Sequence, residues 1–179
     1  MKHQTSRDVF AYWDRLRGAA VLPDRRDFDP LAVRDSLDWV VMIDTDVSTG
    51  APIRVAGSGV SALFGRELRG SSFVSLWRLR DRAETIDWIE AACVAEAPSC
   101  ESLLVAPLDR DPVAMELLIL PFRHLDVAAA RALCVLSVDP TPRWAGLMPL
   151  APLAWTNAQG VPPSTREQPR STFRVLSRI

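Results

Sequence analysis

The chain has 179 residues, 48% hydrophobic and 24% charged, with 21 basic and 22 acidic side chains and a formal net charge of −1. Those values suit one globular domain with appendages and enough apolar material for a core, and they exclude a disordered chain, a collagenous fibre and a coiled coil. No block of five like charges occurs, so neither a nucleic-acid footprint nor an anionic-membrane footprint is present in the sequence.

The first element expected is an amphipathic helix over Ser6 to Gly18, with Val9, Tyr12, Trp13 and Leu16 on one face and Asp8, Asp14, Arg15 and Arg17 elsewhere. Asp29 followed by Pro30 predicts an N-cap and a first helical turn, opening a short helix through about Leu37. Trp39 to Asp44 and Pro52 to Gly57 are apolar runs separated by turn residues and predict a hairpin. Ser58 to Trp77 holds Gly59, Gly65 and Gly70 between short apolar pieces, so it predicts small helical turns joined by bends. Leu79 to Ala97 then predicts the longest helix, with Leu79, Ala83, Ile86, Ile89, Glu90 and Cys93 along one side.

Three strands are expected next: Glu101 to Leu108, Val113 to Phe122 after the turn Asp109 to Pro112, and Arg131 to Val138 reached through Leu125 to Ala130. The last 40 residues carry seven of the 14 prolines, which leaves little regular structure there apart from a late strand at 173–176. The order of elements is α+β, an antiparallel sheet with its helices grouped in the middle. We divide the chain into an N-terminal helix and linker (1–29), a core (30–139) and a Pro-rich C-terminal extension (140–179). Within the extension Trp144, Leu147, Leu150, Leu153 and Trp155 are too apolar for an inert linker and predict either a docking arm or a cap on the sheet.

Cys93, Cys100 and Cys134 are odd in number and show no metal-ligand spacing, so they predict free thiols in a reducing cytoplasm and no zinc site. The start of the chain lacks an apolar targeting segment, and the longest uncharged apolar stretch, Leu147 to Trp155, is too short to span a bilayer. Twenty of the 21 basic residues are Arg, a bias that fits a GC-rich genome and by itself carries no function.

Gly57-Ser58-Gly59-Val60-Ser61-Ala62 has the G-x-G-x-x-A form of a dinucleotide loop, but no parallel strand with a terminal acid follows it, so a strand ending and a helix beginning is the plainer reading. The histidines are His3 at the start of the chain and His124 at a strand end; spacing leaves a Ser-His or Cys-His pair open, but a lone His at a strand end reads as a surface or hydrogen-bonded structural residue, so catalysis is not expected. The six tryptophans, at 13, 39, 77, 88, 144 and 155, read as core or interface with their N–H groups satisfied.

Three stretches carry a family likeness: Arg54-Val55-Ala56-Gly57, Leu63-Phe64-Gly65-Arg66-Glu67-Leu68-Arg69-Gly70 and Ser72-Phe73-Val74-Ser75-Leu76-Trp77. Tyr12-Trp13-Asp14-Arg15-Leu16-Arg17, Glu116-Leu117-Leu118-Ile119-Leu120-Pro121 and Phe173-Arg174-Val175-Leu176 agree with it. Together they resemble the PAS fold family, in the bacterial branch of single-domain proteins with an F-G-R-E-L-x-G signature. The resemblance implies a five-stranded antiparallel sheet with helices packed on one face, and tight or left-handed backbone at Gly65 and Gly70. It also suggests an ion pair between Arg54 and Glu67.

As function, the resemblance implies a cytoplasmic bacterial signalling module without its own output, acting by contact with a protein partner or as a homodimer. Val9, Tyr12, Trp13 and Leu16 are then the candidate interface. The alternative is a small-ligand sensor whose pocket, between sheet and long helix, is lined by Phe64, Phe73, Trp77, Ile86, Ile89, Met115 and Leu117. Haem and covalent flavin are disfavoured as cofactors, because the long helix holds no His and Cys93 lies outside an Asn-Cys-Arg-Phe motif. A nucleotide-using enzyme is the third reading.

Overall fold

The computed structural model describes residues 1–105, 113–138, 143 and 147–155. The expected turn at 109–112, Trp144 and the late strand at 173–176 lie outside the described residues. The chain runs through α1 (Gln4–Arg17), a 3₁₀ helix (Pro30–Trp39), β1 (Val40–Asp44), β2 (Ile53–Ala56), α2 (Ser58–Phe64), α3 (Arg82–Val94), β3 (Ser99–Val105), β4 (Val113–His124) and β5 (Val127–Val138). The five strands form one antiparallel sheet in the order β2-β1-β5-β4-β3.

The centre of this sheet is the β4–β5 pair, aligned with Leu117 opposite Leu136 and Ile119 opposite Cys134. Met115 through Phe122 of β4 are all buried, because both faces of the sheet are covered. Side chains alternate across a strand. Met115, Leu117 and Ile119 therefore enter one core with α2 and α3, while Leu118, Leu120 and Phe122 enter a second core with α1. Pro121 sits in β4 where β3 has already ended at the Ser99–Ile119 pair, so its missing N–H falls where the ladder has only one neighbour.

α1 begins two residues before the expected start and ends at Gly18. Asp29 caps the following 3₁₀ helix, its side chain accepting from the Leu31 N–H, with Pro30 in the first turn. The hairpin of β1 and β2 forms as expected.

Three expectations need correction. The helix expected over 79–97 breaks at Arg82: Leu79–Asp81 is a 3₁₀ turn, Leu79 is 80% exposed, and α3 at 13 residues is one shorter than α1. Its buried side is Thr85, Trp88, Ile89 and Ala92, rotated from the predicted stripe because the bulky Trp88 takes the position facing the sheet. β5 starts at Val127, so only Leu125 and Asp126 connect it to β4; both have positive φ, the mirror-image turn that suits strand twist.

The Gly57 motif also finds its physical cause. A Cβ at Gly57 would stand 2.1 Å from the Leu37 carbonyl oxygen, and one at Gly59 would stand 2.9 Å from the Asp38 oxygen. These glycines let α2 pack under the end of the 3₁₀ helix, and Ser58 hydrogen-bonds the Asp38 carboxylate there. Gly65 ends α2 at φ 63°. Gly57→Ala is expected to cost about 1–3 kcal/mol in urea unfolding, because the clash is with backbone; a variant as stable as the parent contradicts this packing.

Candidate functional site

The interior between the sheet and α3 is where the alternative reading, a small-ligand sensor, expects its pocket. Phe64, Phe73, Trp77, Ile89, Met115 and Leu117 are all buried in this one core, with Ile86 packed partly buried against it, so the structure brings all seven predicted residues together. What fills the space between them is aromatic. Phe73 and Trp77 have centroids 4.9 Å apart, and Trp155 lies 5.7 Å from Trp77 and 5.6 Å from Trp88.

Trp155 comes from the Pro-rich region and is delivered by a strap at 147–155. The Leu150 N–H donates to the Leu63 carbonyl at 2.7 Å, the Leu153 N–H to Leu76 at 2.8 Å, and the Arg78 N–H to Leu153 at 2.9 Å. Trp77 bridges Leu153, and Trp155 bridges Leu103, so the strap runs as a short strand-like segment. Leu150, Leu153 and Trp155 are buried by it, whereas Leu147 is 81% exposed.

The polar tips of these rings are mostly satisfied. Trp88 Nε1 donates to Ser99 Oγ at 2.9 Å, and Trp155 Nε1 donates to Thr85 Oγ1 at 3.0 Å. Thr85 in turn donates to the Asp81 carbonyl at 3.0 Å. Trp77 Nε1 is buried and has no hydrogen-bond partner among the described residues. An unmade bond at a buried N–H costs about 1–3 kcal/mol, so this donor is the one unsatisfied polar demand of the aromatic cluster.

Burial disfavours the thiolate form at all three cysteines. Burial pushes Cys93 up to about 11 and Cys100 up to about 12, and raises the fully buried Cys134 further. Burial likewise raises the Asp81 carboxyl, with Arg80 and Arg78 acting against it. Among the described residues no group of three His, Cys, Asp or Glu side chains could hold a metal ion.

The candidate interface residues are placed differently from expectation. Val9, Tyr12 and Trp13 are buried against the sheet of the same chain. Trp13 Nε1 donates to the Pro121 carbonyl at 2.9 Å, and the Asp29 N–H donates to the Tyr12 hydroxyl at 2.8 Å. Ser6 and Ser137 share a hydrogen bond of 2.8 Å that fixes the start of α1. The inner face of α1 is thus spent on the second core, and of the four residues only Leu16 stays partly open to solvent. The Arg54–Glu67 pair does not form either. Arg54 Nε donates to Asp44 Oδ2 at 2.6 Å, and Glu67 Oε1 accepts from the backbone of Leu68 and Arg69 at 3.0 and 2.9 Å.

The family model described as PAS domain matches residues 1–137. No curated protein matches the sequence. Among solved structures, the light-state LOV domain of the blue-light photoreceptor Aureochrome1 is similar at 18% identity and a TM-score of 0.45, over 65% of this chain and 92% of that one. A light-oxygen-voltage domain studied with a flavin analogue is similar at 16% identity and a TM-score of 0.47, over 65% and 87%. The Rhodobacter sphaeroides LOV protein is similar at 14% identity and a TM-score of 0.41, over 81% and 73%.

If both tryptophans are packed as described, Trp155→Ala and Trp13→Ala each lower unfolding free energy by about 3–5 kcal/mol. Urea denaturation checks this, and a loss under about 1 kcal/mol at either position places that ring outside its core.

Proposed function

The chain belongs to the PAS domain family, and on that premise we propose that it is a cytoplasmic bacterial signalling module that works by contact with a protein partner. One observation carries the reading: the interior where a sensor of this architecture would hold a ligand is occupied by the chain's own Trp155, packed tilted against Trp77 and edge-on to Trp88. A filled core transmits by its surface, since close-packed interiors have no room for a guest without rearrangement. The reading is regulatory and not catalytic, in keeping with the PAS family match. The free thiols of Cys93, Cys100 and Cys134 support a reducing compartment, and among the described residues no helix is long and apolar enough to cross a membrane.

The partner contact falls on the part of α1 left open to solvent, bordered by Phe10 and Leu16, which pack against the second core but are only partly buried. Residues 1–29 then act as the surface layer, 30–139 as the PAS core and 140–179 as the extension that supplies the plug.

One further observation favours a second reading, a small-ligand sensor. The orphaned Trp77 Nε1 offers a donor that an apolar ligand with one acceptor would satisfy on displacing Trp155, with Phe64, Phe73, Trp77, Ile86, Ile89, Met115 and Leu117 as its walls. Native mass spectrometry of freshly purified protein separates the two. The interaction reading expects the polypeptide mass or an integer multiple of it; a reproducible extra mass that is lost on denaturation transfers the function to the sensor reading.

A further inference from the structure

On the α1 side of the sheet, beyond the edge of the second core, lies an open cleft of about 600 Å³ lined by five arginines and a histidine: Arg25, Arg26, Arg54, Arg69, Arg131 and His124. They come from five separate places. Arg25 and Arg26 lie in the short 3₁₀ turn that follows α1, Arg54 on β2, Arg69 in the bend before Gly70, His124 at the end of β4 and Arg131 near the start of β5. Abundance of arginine in the composition does not explain this. Residues scattered over more than a hundred positions converge on one concave surface only because the β1–β2 and β4–β5 turns and the post-α1 turn meet at this corner of the sheet.

The charges are not balanced within the cleft. Among the described residues two carboxylates make salt bridges to three of the five guanidiniums. Asp44 pairs with Arg54 and Arg131, and Asp24 pairs with Arg26. Asp24 also serves Arg123, outside the cleft, at 3.9 Å. Arg25 lies over the Phe28 ring at 5.3 Å, and neither Arg25 nor Arg69 has a carboxylate partner among the described residues. Asp126 and Asp27 also act electrostatically on Arg26. Burial, with a smaller contribution from nearby Arg25, holds Arg131 below its ordinary value. His124 Nδ1 is also buried without a hydrogen-bond partner.

We propose that this cleft is an anion-binding site for a compact ligand carrying two or more oxyanion groups, phosphoryl or carboxyl. Guanidinium forks donate paired hydrogen bonds to either group, and several forks facing one concavity suit a ligand with more than one such group. The volume lies within the roughly 300–1,000 Å³ typical of small-molecule sites. The site is on the opposite face of the sheet from the aromatic interior, so it stands independently of how that interior functions. Occupancy would tie the post-α1 turn to β2 and β5, the corner on which α1 depends for its position.

The test is isothermal titration of the full chain with inorganic pyrophosphate and, separately, with citrate, at matched ionic strength. Saturable one-to-one binding of either is expected, and the stronger of the two assigns phosphoryl or carboxyl chemistry. Arg25→Ala with Arg69→Ala breaks no salt bridge and is expected to weaken that binding roughly tenfold or more with an unchanged melting temperature; Arg69→Ala alone serves if the double variant melts early. Absence of saturable binding by both anions, or equal binding by the variants, overturns the proposal. So does binding of a short single-stranded oligonucleotide where neither small anion binds, which would make the cleft a polymer contact.

Discussion

Everything in this molecule leans on one pair of strands buried on both faces. β4 and β5 run side by side through the middle of the sheet, and from Met115 to Phe122 no side chain of β4 reaches solvent. An antiparallel sheet commonly leaves one face to water; here each face has an apolar layer of its own. Neither layer is dispensable, because removing it would expose alternate residues of the same strands. The N-terminal helix and the C-terminal strap are therefore not appendages in a physical sense. One closes the core of Leu118, Leu120 and Phe122, and the other completes the core of Met115, Leu117 and Ile119.

The strap gives the fold its functional character. Trp155 enters a site bounded by Trp77 and Trp88 and is held by a hydrogen bond to Thr85, so the interior is closed by a segment more than 60 residues away in sequence. A segment held by three main-chain hydrogen bonds and a few apolar side chains is a smaller unit than the sheet, and local opening of such units costs less than global unfolding. That asymmetry is what a regulatory module needs: a rigid sheet, and one element whose release would change the surface. The cationic cleft lies across the sheet from it, at the corner where the segment after α1 meets β2 and β5.

Much of this was legible before any coordinates. Apolar runs bounded by turn residues marked all five strands, Gly18 marked the end of α1, and Asp29-Pro30 marked the 3₁₀ helix, because each is a local effect that the sequence carries locally. The apolar content of Leu150, Leu153 and Trp155 marked the strap as something that packs. What stayed hidden was anything set by distant neighbours. An apolar helix face looks the same whether its partner is another protein or the chain's own sheet, so Val9, Tyr12 and Trp13 could not be told apart from an interface. The glycines at 57 and 59 answer to the backbone of Leu37 and Asp38, about twenty residues earlier, and only coordinates show that approach. Arg54 chose Asp44 over Glu67 because β1 and β2 set them side by side, while Glu67 turned back to cap its own bend. Arginines spread from 25 to 131 carry no periodicity at all.

The central claim is that the strap is part of the folded core. Hydrogen exchange of the full chain, followed by mass spectrometry, tests it most directly. The account predicts that the Leu150 and Leu153 amides are protected to a degree comparable with α3, and that β4 and β5 exchange most slowly of all. Exchange at those two amides as fast as in an unstructured peptide, with β4 and β5 still protected, would contradict it and leave the aromatic interior open.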